Sequence, residues 1–192
     1  MIKKFSTDHT GSYFRGNDGR PVIRWVIGRP APKSFEVLRF SVSSVKRLYG
    51  DCFRLVVCYN NITQDQLPLL PPSVDLVRQD RCLVQLPFPP SSECGPAWKF
   101  YPPRLYPQSH EVIVDNDLVL HRQLPQLNAF LESNDKFLTT EGYHRSYSPR
   151  YEDRIRKGFN INSGMVGLPP SFDYAAEVKK WLNFPWSNFF DE

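Results

Sequence analysis

No stretch of this 192-residue chain stays apolar for the roughly 18 residues that crossing a bilayer takes. Its first residues, Met1-Ile2-Lys3-Lys4-Phe5-Ser6, lack the apolar core of a secretion signal. Cysteine is sparse: four residues, at 52, 58, 82 and 94, with no Cys-x-x-Cys pair and no histidines at zinc-finger spacing. Buried, reduced thiols in a cytoplasmic setting are therefore expected, with no transmembrane segment. Charge of one sign is not concentrated either. The net charge is +4, and the densest basic stretch (Arg145, Arg150, Arg154, Arg156, Lys157) also holds Glu152 and Asp153. That reads as a solvated face, so no nucleic-acid partner is expected. There is no internal repeat and no low-complexity block.

What is present is a globular composition, 41% apolar and 23% charged, with 18 prolines. Proline cannot donate to a ladder or helix, so many stiff connections should surround a modest scaffold. The length suits a single domain over 21–192 behind a loose tail at 1–20. Within the domain, 21–110 reads as one half and 111–192 as the other.

Val22–Ile27 is rich in β-branched residues and reads as a strand, stopped by Gly28-Arg29-Pro30-Ala31-Pro32. Ser34 is placed to cap a helix from about Phe35, and Gly50 to end it. Phe53–Tyr59 and Val74–Val77 read as further strands. This β-α-β order predicts an α/β fold: a mostly parallel central sheet with helices on both faces. Residues 79–109 have no clear period and contain seven prolines, so they suit a functional loop or an irregular cover over the sheet. A helix is expected at Leu124–Leu131, strands at Lys136–Thr140 and Phe159–Leu168, and a last helix over Asp173–Leu182 capped by Ser171.

The most informative stretch is Val112-Ile113-Val114-Asp115-Asn116-Asp117. Three apolar residues in a row suit a strand buried on both faces, and charge follows at once. Were the chain to stay extended, Asp115 and Asp117 would point to one side. Open α/β sheets bind ligands at the carboxyl ends of their strands. Two close carboxylates repel, and a divalent cation such as Mn²⁺ or Mg²⁺ relieves that while leaving sites for phosphate oxygens. By local pattern alone the triplet is equally the turn of a β-hairpin. Further along, Asn160-Ile161-Asn162-Ser163-Gly164-Met165-Val166 is a strand broken by a polar step, which suits a bulge or a close approach by a ligand.

Together, Ala97-Trp98-Lys99, Val112–Asp117 and Asn160–Val166 resemble the GT-A-fold glycosyltransferases with a D-x-D motif, over Ala97–Leu182. The first 80 residues match only as a β-α-β order. The resemblance implies sugar transfer from a nucleotide-diphosphate sugar to an acceptor hydroxyl of a glycan, lipid or protein. It places Asp117 on the metal and Asp115 on the metal or the ribose, beside Asn116. Ile27, Gly28 and Arg29, with Tyr59 and Asn60, would border the base. Lys99 would face the donor phosphate or sugar, and Asn162, Ser163 and Gly164 would line the sugar pocket. Asp191, followed by Glu192, falls where relatives carry an acceptor-side carboxylate, the candidate base of an inverting mechanism. Glu141 is a second candidate catalytic carboxylate.

Relatives continue past the point where this chain ends, and some supply a late histidine to the metal. His110, His121 and His144 are the substitutes available outside the tail. A minimal enzyme, a chain truncated at its C-terminus and a non-catalytic sugar-nucleotide or glycan-binding module all remain open. A sugar-phosphate nucleotidyltransferase is disfavoured. That class resembles chains with a glycine-rich phosphate loop after the first strand, whereas Gly28–Lys33 has one glycine and two prolines.

Overall fold

The structure, a computed structural model, describes residues 19–28, 30–79, 98–99, 104–141, 161–174 and 176–177. Residues 1–18 of the expected 1–20 tail, most of the proline-rich stretch and Asp191 lie outside these residues.

One six-stranded sheet organises the chain, in the order β3-β2-β1-β4-β6-β5. Its strands are β1 (Val22–Gly28), β2 (Arg54–Asn60), β3 (Asp75–Arg78), β4 (Glu111–Val114), β5 (Leu138–Glu141) and β6 (Ile161–Leu168). The first four strands are mutually parallel; β6 runs antiparallel to both β4 and β5. The α/β expectation is met. Parallel neighbours need a long crossover, and helix α1 (Pro32–Tyr49) supplies it between β1 and β2. The helix starts at Pro32 rather than at Phe35. Proline has the helical φ already set and sits at the first position, while Ser34 lies inside the first turn. Gly50 ends it at φ 58°, as expected. Helix α2 (Pro125–Leu131) likewise begins with a proline.

The sheet has two different faces. Ile23, Trp25, Ile27, Leu55, Val57, Val112 and Val114 pack with Phe35, Leu38, Val42 and Val45 of α1 in the main core. The other face carries Val22, Val56, Cys58 and Val77 against Leu105 and Tyr106. β4 is buried along its whole length, as its apolar run demanded. Of the cysteines, Cys58 is buried but Cys52 is exposed, contrary to expectation, because it lies in the turn between α1 and β2; both are free thiols. Cys82 and Cys94 lie outside the described residues. Ser171 is not a cap. It lies at φ 62° with its N–H on the Pro107 carbonyl, and Asp173 instead accepts from the N–H of Ala176 through Oδ1 at 2.9 Å. No helix among the described residues is long and apolar enough to cross a membrane.

Candidate functional site

The strand order reverses between β1 and β4, since β1 leads outward to β2 and β3 on one side and the chain restarts with β4 on the other. A crevice at the carboxyl ends of such a pair is the usual ligand position in an open α/β sheet. Asp115 stands at that edge. Its N–H donates to the Gly164 carbonyl at 2.9 Å, so the β4–β6 ladder runs one step past the strand. By alternation Asp115 shares a face with Glu111 and Ile113, the face turned away from α1. There Lys99 Nζ pairs with Asp115 Oδ1.

Beyond Asp115 the chain turns. Leu118 N–H donates to the Asp115 carbonyl at 3.2 Å, closing a β-turn with Asn116 half-buried and Asp117 exposed. The extended-chain alternation expected for Asp115 and Asp117 therefore does not apply; both carboxylates come from one four-residue turn. The turn does not make a hairpin either. β4 pairs with β1 and β6, and the chain after the turn passes without a strand into α2.

Three hydroxyls of α1 fasten that outgoing segment. Ser41 Oγ accepts from the Trp25 indole at 2.8 Å and donates to the Leu118 carbonyl. Ser44 Oγ accepts from Leu120 N–H at 3.0 Å, and Tyr49 Oη from Leu124 N–H at 2.7 Å. Sequence reasoning missed these serines. The available signal was two polar residues on the apolar stripe of an amphipathic helix, where a buried hydroxyl must have a partner.

The Asn-Ser-Gly step is a bulge. Thr139 faces Val166 but Thr140 faces Asn162, so β6 carries extra residues at Ser163–Met165. Thr140 Oγ1 accepts from Met165 N–H at 3.3 Å within it. The bulge carbonyl of Gly164 is the one that binds Asp115, so the two motifs lie side by side. Ser163 is the first residue of that bulge and Asn162 stands just before it in β6. Glu141 ends β5 opposite Ile161, on the far side of β6 from β4.

The ends of β1 and β2 meet at Gly28 and Asn60. A Cβ on Gly28 would come within 2.3 Å of Asn60 Oδ1, so only glycine fits beneath that amide. Asn60 is buried and donates through Nδ2 to Gln79 Oε1 at 2.7 Å; Gln79 Nε2 passes the chain on to the Trp98 carbonyl at 2.9 Å. Ile27 is 2% exposed and pairs with Tyr59, which packs on the main core. Arg29 lies outside the described residues.

Beneath the site, Arg24, Glu111 and Arg104 form a buried ionic group that sequence reasoning also missed. Arg24 Nε lies 3.1 Å from Glu111 Oε1, and Arg104 Nε 3.5 Å from Glu111 Oε2, both off hydrogen-bond alignment. Glu111 Oε2 accepts from the N–H of Leu105 and of Tyr106 at 2.9 and 3.2 Å. Arg104 donates to the carbonyls of Ser109 and Pro169 at 2.6 and 2.8 Å. Burial pushes the Arg104 guanidinium below its ordinary value, and Glu111 pulls it back up. Arg24 Nη2 donates to the Lys99 carbonyl at 3.0 Å. The signal was an arginine amid Val22–Ile27: a charge in a strand buried on both faces demands a carboxylate.

Asp115 and Asp117 are hard oxygen donors. No group of three His, Cys, Asp or Glu gathers among the described residues. Mg²⁺ commonly takes one or two carboxylates and completes its shell with substrate phosphates and water. With Lys99 balancing one carboxylate, the cluster keeps a net negative charge. The residues thus fit a divalent ion that arrives with a diphosphate. His110 is engaged elsewhere, with Nε2 2.7 Å from the Ser133 carbonyl and its ring edge-on to Phe130. His121 is exposed. A cavity of about 320 Å³, lined by Arg20, Lys46, Asp51, Arg54 and Asp75, lies at the opposite, amino-terminal edge of β2 and β3.

No family model matches the sequence, and no curated protein matches it. Solved structures do. The galactosyltransferase LgtC, in complex with donor and acceptor sugar analogues, matches at TM-score 0.54 and 12% identity, over 84% of this chain and 64% of that one. The glycosyltransferase GlyE of Streptococcus pneumoniae matches at 0.54 and 12%, over 89% and 40%. Mouse xyloside xylosyltransferase 1 matches at 0.53 and 13%, over 88% and 73%. The chain thus spans less than two-thirds of the first two of these structures.

Proposed function

We propose that this chain, whose fold is that of the GT-A glycosyltransferases, transfers a sugar from a nucleotide-diphosphate sugar to an acceptor hydroxyl. The observation that carries this reading is the hydrogen bond from Asp115 N–H to the Gly164 carbonyl. It joins an acidic turn to a strand bulge at the point where the strand order reverses.

In this reading the base lies over the ends of β1 and β2, where Gly28 makes room for the buried Asn60 amide. Asp115 and Asp117 would hold Mn²⁺ or Mg²⁺ at the diphosphate, where such an ion would supply charge neutralisation for the leaving group. Lys99, placed at Asp115, supplies a point cation to the same phosphates. The Ser163–Met165 bulge presents main-chain groups to the sugar. The bond between the anomeric carbon and the donor's phosphate oxygen breaks, and one forms to the acceptor oxygen. The acceptor's proton passes to a carboxylate base, for which Glu141 and Asp191 are the candidates. Glycan, lipid and protein hydroxyls are all chemically suitable acceptors.

A thermal-shift panel of UDP-, GDP- and CDP-sugars, with and without Mn²⁺, tests this, because ligands that bind the native state raise its apparent stability. One nucleotide should stabilise the protein in a Mn²⁺-dependent way, and Asp117→Ala should abolish that gain. A folded protein indifferent to every nucleotide contradicts the proposal. Binding without release of nucleoside diphosphate in the presence of acceptors would identify a non-catalytic module instead.

A further inference from the structure

We infer that Arg24 is a positioning residue that sets Lys99 against Asp115. Its consequence for ligand binding rests on the proposed function; its structural part does not. Trp98 and Lys99 belong to no sheet, yet two fully buried side chains grip their consecutive carbonyls. Gln79 donates to Trp98 at 2.9 Å and Arg24 to Lys99 at 3.0 Å. With its main chain held from below and Trp98 buried, Lys99 has its stem origin fixed, and its ammonium meets Asp115. Lysine carries much side-chain entropy, so a half-buried ion pair persists better when the backbone is pre-set.

Arg24 is suited to this by its planar fork. One edge faces the Glu111 carboxylate while Nη2 reaches the Lys99 carbonyl, two directions that a single ammonium cannot serve. Glu111 opens β4 and Asp115 follows its last residue on the same face, so Arg24 meets the strand's start and steers the residue that pairs just past its end.

The test is Arg24→Lys, which keeps a cation beside Glu111 and removes the reach to Lys99. In protein carrying ¹³C-labelled lysine, the Lys99 Cε–Hε resonance, assigned by its loss in Lys99→Ala, should move when Asp115→Asn removes the pair. In Arg24→Lys it should already sit near that shifted position and respond little to Asp115→Asn. A Lys99 resonance unchanged from wild type overturns the inference. Should Arg24→Lys fail to fold, Arg24→Gln, which also lacks the reach to the Lys99 carbonyl, makes the same test.

Binding gives the second readout. Arg24→Lys should weaken nucleoside diphosphate binding in Mn²⁺ by about 2- to 12-fold, the weight of one intramolecular hydrogen bond. In the Lys99→Ala background it should have no effect, because the two residues act in series. Equal weakening in both backgrounds overturns the inference and leaves the proposed function standing. Absence of nucleotide binding in wild type removes the proposed function, and the lysine resonance then decides the inference alone.

Discussion

Glu111→Ala should be among the most damaging single substitutions in the described structure. Glu111 is fully buried, faces two guanidiniums at 3.1 and 3.5 Å and accepts two main-chain N–H groups at 2.9 and 3.2 Å. Its loss leaves Arg24 and Arg104 with uncompensated charge inside the protein. Removing one partner of a buried ion pair costs about 3–5 kcal/mol. Domains have only about 5–15 kcal/mol in all. For a chain of this length each kcal/mol lowers Tm by about 2–4 °C, so a fall of about 6–20 °C is expected. Differential scanning calorimetry measures it. Glu111→Gln, which keeps an oxygen for the N–H groups of Leu105 and Tyr106 but drops the charge, should fall between wild type and alanine. Glu132→Ala, at an exposed position, serves as the surface control and should stay within about 0.5 kcal/mol. A Glu111→Ala protein melting within about 2 °C of wild type would refute the view that this carboxylate holds the two arginines together.

Gly28→Ala drives a methyl into the Asn60 amide, 2.3 Å from Oδ1, and should cost about 1–3 kcal/mol in urea unfolding through displacement of that buried side chain. Asp173→Ala loses the bond to Ala176 N–H and should cost about 0.5–2 kcal/mol by the same assay. Burial holds the Tyr174 phenol at about 12 against an ordinary 10.0. The folded state therefore keeps that proton longer than the unfolded one. The resulting stability is whole below about pH 10 and is lost as pH rises toward 12, and Tyr174→Phe should remove the dependence in alkaline unfolding titrations.

Apolar runs located the inner strands, because a strand buried on both faces has little choice of composition: Val112–Val114 could hardly be anything else. Boundaries moved where a local preference was outvoted. At α1, Pro32 outranked Ser34; at the last helix, Asp173 outranked Ser171, whose main chain was taken by Pro107. The acidic triplet was legible as a site but not as a shape. Nothing local says whether Asp-Asn-Asp continues a strand or turns, since the turn is held by Ser41 and Ser44 some 75 residues earlier. The Gly164 bulge was anticipated from glycine within a strand, but its bond to Asp115 depends on β6 running antiparallel beside β4. The arginines escaped notice for a similar reason. Arg24 signalled a buried charge, but its partner Glu111 stands 87 residues later in the sequence, so the pairing could not be read locally.

The acidic turn as a metal–diphosphate site is the centre of this account, and electron paramagnetic resonance of Mn²⁺ tests it most directly. Free Mn²⁺ should lose signal to a protein-bound form when UDP, GDP or CDP is added with wild-type protein. Asp117→Ala should leave the spectrum as it is with nucleotide alone. A wild-type spectrum indistinguishable from that of Asp117→Ala with every nucleoside diphosphate would contradict the account.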